Sequence, residues 1–180
     1  MSEKDSASAD RRRRGDGIIG AISAGLFFVL VGVIFMINPN LWSKIVDFVN
    51  DFTTVHIANT SINLPVPVTP AAHTAVYSAV FQFALGIAIL QILILVMRLT
   101  MGSQTRRIAQ TVGSLFFWAG AAYISNNLAD MKSTLAISQQ REMWFQFWAA
   151  IIILIGLSII ARAAVFLAAR RELAGSRKTR

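Results

Sequence analysis

The chain contains no cysteine, which excludes disulfides, thiolate catalysis, iron–sulfur clusters and cysteine-based zinc sites. Histidine is nearly absent: only His56 and His73 occur. They form no H-x-x-x-H pair, and a metal centre takes three or four ligands in close geometry. Both are expected at the surface, and no metal or cofactor is expected. Neither lies in an apolar run, so bis-histidine haem ligation inside a bilayer is not expected. Acid is scarce as well, with nine Asp and Glu against seventeen Lys and Arg. None of the nine lies inside a long apolar run, whereas proton- and ion-coupled transporters usually bury an acid there. An active pump is therefore not expected. With no acid–base pair and no activated nucleophile in view, neither is an enzyme.

Apolar residues are abundant. They make up 55% of the chain against 14% charged, and the mean hydropathy is +0.58. So much apolar surface cannot be hidden in a water-soluble core of this length, and lipid is the better solvent. Gly17–Ile37 carries no charge and as a helix spans about 31 Å, one hydrocarbon core. Asn38-Pro39-Asn40 ends it, since proline cannot extend the hydrogen-bond ladder. The run is long for a signal peptide and no A-x-A-like site follows, so an uncleaved helix is expected. Three more runs cover about 75–97, 108–126 and 143–162, the third of the four being the shortest. The expected fold is an all-α, integral membrane four-helix bundle over 17–168. Residues 1–16 are expected as a disordered basic tail, 169–180 as a second basic tail, and 38–74 as a loop on the outer face.

The positive charge is distributed unevenly. The first tail holds Lys4, Arg11, Arg12, Arg13 and Arg14, and the turn RLTMGSQTRR holds Arg98, Arg106 and Arg107. The C-terminal end holds Arg162, Arg170, Arg171, Arg177, Lys178 and Arg180, leaving only Lys44, Lys132 and Arg141 for the other two connections. Four spans put the rich segments on one side, and the positive-inside rule then places both termini in the cytoplasm of a cell-membrane protein. The arginines are expected to meet anionic headgroups of the lipid bilayer, at about 1 kcal/mol for each residue near the surface. A sequence pI near 11.1 would suggest nucleic acid in a soluble protein. RLTMGSQTRR has neither a Gly-rich phosphate cradle nor interleaved aromatics, so no nucleic-acid partner is expected.

In the outer loop, LWSKIVDFVNDF has a helical period. Leu41, Trp42, Ile45, Val46, Phe48, Val49 and Phe52 share one face, and Ser43, Lys44, Asp47, Asn50 and Asp51 the other. This is expected to be an interfacial amphipathic helix that closes the top of the bundle, with Trp42 at headgroup depth and Phe48 and Val49 towards the membrane. Beyond it, alternating apolar residues allow a short hairpin, but Pro65, Pro67 and Pro70 favour an extended segment. Asn59-Thr60-Ser61 matches the N-glycosylation acceptor pattern, so Asn59 is a candidate for modification. Within the runs, Gln82, Gln91 and Gln146 are expected to hydrogen-bond between helices, at about 0.6 to 2 kcal/mol each. Their other use would be to line a narrow path. Small residues at helical spacing, such as Gly25 and Gly32 or Gly113 and Gly120, allow close helix approach within the bundle or with a homo-oligomer or membrane-complex partner.

From RLTMGSQTRRIAQTVGSLFFWAG through MWFQFWAAIIILIGLSIIARA, the chain resembles uncharacterised small four-span membrane proteins of archaea. The shared features are the arginine turn, FFWAGAAY in the third helix and a tryptophan-led fourth helix. The resemblance implies a lineage and assigns no site residue. The expected function is a non-enzymatic accessory, assembly or scaffold subunit. The alternative is a small oligomeric channel or facilitator.

Overall fold

The computed structural model describes residues 3–56, 61–101 and 103–178, with side chains described for 17–56, 61–101 and 103–168. Among them lie α1 (Glu3–Ile37), α2 (Leu41–Asn50), β1 (Phe52–His56), β2 (Asn63–Pro67), a 3-10 turn (Pro70–His73), α3 (Thr74–Thr100), α4 (Thr105–Ala129) and α5 (Ile137–Lys178). Three stretches are helices long and apolar enough to cross a membrane: Gly17–Ile37, Pro70–Thr100 and Ile137–Ala168. They suggest a multi-pass membrane protein. α4 has spanning length, with its 25 residues reaching about 37 Å. Gln110, Thr111, Ser114, Ser125, Asn126 and Asn127 make its apolar run the least apolar of the four expected spans. The backbone of α1 is helical from Glu3, upstream of the boundary expected at residue 16, and α5 continues through Arg170 and Arg171.

The long helices pack antiparallel in chain order. Leu30 of α1 lies over Gly86 of α3, and Ile34 packs with Ala79. Ala84 of α3 meets Ala121 and Ala122 of α4. Gly120 of α4 receives Leu154 of α5, and Gly113 receives Arg162. A Cβ on Gly86, Gly113 or Gly120 would overlap these neighbours, so the missing side chain is what permits the approach. α4 presents small residues on two sides, and α3 and α5 both pack against it. The result is a row, α1–α3–α4–α5, within the four-helix arrangement the sequence suggested. α3 and α5 come together at one end, where the Tyr77 and Trp144 rings are 6.2 Å apart.

That end carries the hairpin. β1 and β2 pair antiparallel, with Phe52 opposite Pro67 and His56 opposite Asn63. The sequence favoured an extended segment because proline donates no ladder hydrogen bond. A two-stranded ribbon has a free edge on each strand, however, and Pro65 and Pro67 are tolerated where the missing N–H would face away from the partner. The ribbon is held by packing: Val66 is fully buried, in one cluster with Tyr77, Leu128, Met131 and Trp144. Asn40, with φ of 59°, turns the chain from α1 into α2. A left-handed residue is needed there, and asparagine adopts that conformation more readily than most.

Candidate functional site at the hairpin end

α2 has three stripes where the sequence suggested two. Leu41, Ile45 and Phe48, spaced i, i+4 and i+7, face the protein: the first two join Ile34 and Ala79, and Phe48 joins the Val66 cluster. Trp42, Val46 and Val49 form a second apolar stripe that is exposed. Ser43, Asp47 and Asn50 form an exposed polar stripe. Phe48 therefore faces protein, not membrane as expected, while Val49 and Trp42 remain on the open apolar side. Phe52 lies outside α2, in β1, with its ring 5.7 Å from Trp144.

Trp144 is the hub. It is 5% exposed. Its indole N–H donates to the Pro65 carbonyl at 3.2 Å. Its ring meets Phe48, Phe52, Tyr77 and Phe147 with centroids within 6.2 Å. One turn along, Trp148 is half exposed. Gln140, buried one turn before the hub, accepts from the Ala71 N–H at 3.0 Å and donates to the Leu135 carbonyl at 2.9 Å. The start of α5 thus fastens both β2 and the 3-10 turn.

A second junction centres on Asp51. Its Oδ2 accepts from the Thr69 N–H at 2.9 Å and the Thr69 hydroxyl at 3.0 Å, and lies 2.9 Å from His73 Nε2. Its carbonyl accepts from the Val68 N–H at 2.9 Å. Burial pushes the carboxyl up. The Thr69 N–H, His73, the Thr69 hydroxyl and the His73 charge outweigh that push and hold Asp51 below the usual carboxylate value. His73 is 9% exposed, which corrects the expected surface position. His56 is exposed, its Nδ1 3.2 Å from Asn63 Oδ1. The two histidines do not share a site, and among the described residues no three acidic or histidine side chains come together.

The three glutamines are not gathered onto one path. Gln82 Oε1 accepts from Asn38 Nδ2 at 2.7 Å, linking α1 to α3. Gln91 is half-buried further along α3. Gln146 is exposed on α5 and donates to Glu142 on its own helix at 3.2 Å. At the opposite end, Arg98 donates to the Arg107 carbonyl and the Thr111 hydroxyl, while Arg106 and Arg107 are exposed. Arg162 lies across Gly113. Asn59 and the side chains of Arg11, Arg12, Arg13, Arg14, Arg170 and Arg171 lie outside the described residues.

Sequence reasoning missed the Asp51–Thr69–His73 junction and the hub. The spacing of Trp144 and Trp148 was a usable signal for the hub. Residues four apart share a face only approximately, so one can face the core while the other sits at its edge. No family model, curated protein or solved structure matches the chain.

Proposed function

We propose that the chain is a four-span cell-membrane protein with both termini in the cytoplasm, acting as a non-enzymatic accessory or assembly subunit that receives a partner helix along α1. The observation that carries this reading is the open side of α1. A Cβ added at Gly17, Gly20, Gly25 or Gly32 would meet nothing within 4 Å. Phe28 and Met36 on the same helix are 72% and 77% exposed. α1 leans on α3 and α2, so most of its circumference is left for lipid or another helix. Small residues beside large apolar ones suit close packing of a second membrane helix, from another copy or from a larger complex.

The four-span arrangement is supported by α4. It is joined to α3 by a short turn and packed between α3 and α5, so it shares their depth. Arg98, Arg106, Arg107 and Arg162 then gather at one end, which the positive-inside rule assigns to the cytoplasm, facing anionic headgroups. The three stripes of α2 suit the other interface: one on protein, one on lipid and one on water.

The test has two arms. A reporter active only outside the cell should be silent at Ser103 and after Arg180, and active at Ser133. A signal at Ser103 would end the four-span reading. Purification from native membrane should yield a stoichiometric partner or a homo-oligomer, which Gly25→Leu with Gly32→Leu disperses without lowering the melting temperature of the isolated chain. A monomer with no companion would remove the accessory reading.

A further inference from the structure

The arginines at the end opposite the hairpin are not equivalent. Arg98, near the end of α3, donates to the Arg107 carbonyl and the Thr111 hydroxyl, so it fastens the turn between α3 and α4. Arg162 makes no hydrogen bond or ion pair among the described residues. The ion pair found there, His73–Asp51, lies at the other end. The described carboxylates, Asp47, Asp51, Asp130 and Glu142, all belong to the hairpin end. Arg162 Nε is buried without a partner. The residue as a whole is half-buried, and its two terminal nitrogens are not among the buried, unpartnered atoms. They are therefore open to an acceptor from outside. Yet Arg162 belongs to a stretch apolar enough to cross a membrane, Ile137–Ala168, where an ionisable side chain is costly and is matched with a partner.

Neighbours fix its place. A Cβ on Gly113 would overlap Arg162 Cγ and Nε, so the stem lies flat on α4 and has already lost much of its rotamer freedom. One turn towards the start of α5, Ser158 is 5% exposed on the packed side. Ile155 and Ile159, seven and three residues before Arg162, are 47% and 58% exposed. Arg162 thus sits at the seam where the face packed on α4 gives way to an open apolar face. On α4, Arg106 is exposed. It precedes Gly113 by two helical turns on the same side, about 10 Å nearer the turn that joins α3 to α4.

These features narrow the occupant. A guanidinium fork meets phosphate oxygens in two parallel hydrogen bonds. A free phosphate would answer the charge but leave Ile155 and Ile159 uncovered. An acidic phospholipid answers both. Its phosphate lies at Arg162, and an acyl chain follows the two isoleucines towards the middle of the apolar stretch. Basic pockets between membrane helices on the cytoplasmic side are suited to such headgroups.

We propose that the seam between α4 and α5 binds one acidic phospholipid of the cytoplasmic leaflet, its phosphate paired with the terminal nitrogens of Arg162 and the rest of its headgroup held by the charge of Arg106. The choice of leaflet rests on the four-span reading, whereas binding in detergent is independent of orientation and of any α1 partner. Failure of the topology or partner tests therefore leaves the lipid site standing, and its own failure leaves them untouched.

The experiment adds dioleoylphosphatidylglycerol to the full chain in a non-ionic detergent and counts retained lipid by native mass spectrometry. One saturable equivalent is expected, held more tightly than dioleoylphosphatidylcholine. Arg162→Gln should weaken it by about tenfold, the loss of a charge-assisted hydrogen bond. Arg106→Gln should weaken it by about fivefold, the effect of one surface charge. Lys132→Gln, which removes the same charge at the hairpin end, should change nothing. Binding that never saturates, or that falls equally in Arg162→Gln and Lys132→Gln, would mean attraction to net charge and would overturn the site. Equal retention of phosphatidylcholine would overturn the acidic headgroup. Displacement by millimolar inorganic phosphate would assign the seam to a free anion and overturn the lipid. If Arg162→Gln lowers the melting temperature, Arg162→Lys decides, since it keeps the charge and loses the fork. A severalfold loss is expected there, and unchanged affinity refutes the proposal.

Discussion

Replacing Trp144 with alanine should release the hairpin while leaving the middle of the helix row intact. The side chain is 5% exposed, and truncating a buried tryptophan or phenylalanine costs about 3–5 kcal/mol. Each well-placed ring pair adds about 0.5–1.5 kcal/mol, but the ring partners of Trp144 share one cluster and their values cannot be summed. The loss is local, because the ring and the bond to the Pro65 carbonyl secure the ribbon to α5. With about 1.4 kcal/mol per factor of ten, amide protection in β1 and β2 should fall by two to three orders of magnitude. Protection around Ala121, in the α3–α4 seam, should hold. Trp144→Phe keeps a ring but strands the Pro65 carbonyl, and about 1–2 kcal/mol is expected from the lost bond and volume. Trp148→Ala removes a half-exposed ring and should cost less than about 1 kcal/mol. Hydrogen exchange by mass spectrometry, with protease access at the hairpin, reads all three variants. The reasoning is refuted if Trp148→Ala opens the hairpin as much as Trp144→Ala, or if α4 loses protection in step with β1.

Acid should loosen the same end. A carboxyl whose folded pKa is depressed stabilises fully above its unfolded value, about 3.9, and loses that contribution as pH falls through the folded one. Protease access at the hairpin should thus rise as pH falls below about 4, and Asp51→Asn should flatten that dependence; an unchanged acid response in the variant would sever it from Asp51. Gly113→Ala should destabilise by about 1–3 kcal/mol in detergent melting, because its Cβ would overlap Arg162 and the Ser158 backbone oxygen. Gly25→Ala, with open space around its Cβ, should be silent or slightly stabilising in the isolated chain, and equal losses at both glycines would contradict the packing described.

The long apolar helices were legible because an apolar run of sufficient length declares itself without reference to the rest of the chain. Much of α2 was legible too, but its period could not distinguish a side facing lipid from one facing protein. Phe48 and Val49 are both apolar, and only the position of residues distant in sequence, Tyr77 and Trp144 among them, separates them. The hairpin was misjudged for a related reason. Its own residues, with two prolines in one strand, give little stability, and what secures it lies 79 residues later in the chain. His73 was misplaced because its burial depends on Asp51, 22 residues earlier. The buried Tyr77 and Ser125 hydroxyls carried no signal at all, since a tyrosine and a serine in apolar helices become notable only when neither finds a partner among the described residues.

The hub also sets an order of assembly. α1, α2, both strands and α3 leave the ribosome before residue 144 exists. Until the last helix packs, the Pro65 carbonyl lacks the indole that caps it, and the Ala71 N–H lacks Gln140. The ribbon therefore stays unlatched from the completion of β2 until Trp144 is made. Val66, fully buried in the finished molecule, stays uncovered for that period. Closure of the ribbon then reports that the start of α5 has arrived. A chain truncated before residue 137 would keep α1 to α4 and the seam between α3 and α4 but never latch. Val66 would then lack its contact with Trp144, and the ribbon would be left with the marginal stability of an isolated hairpin.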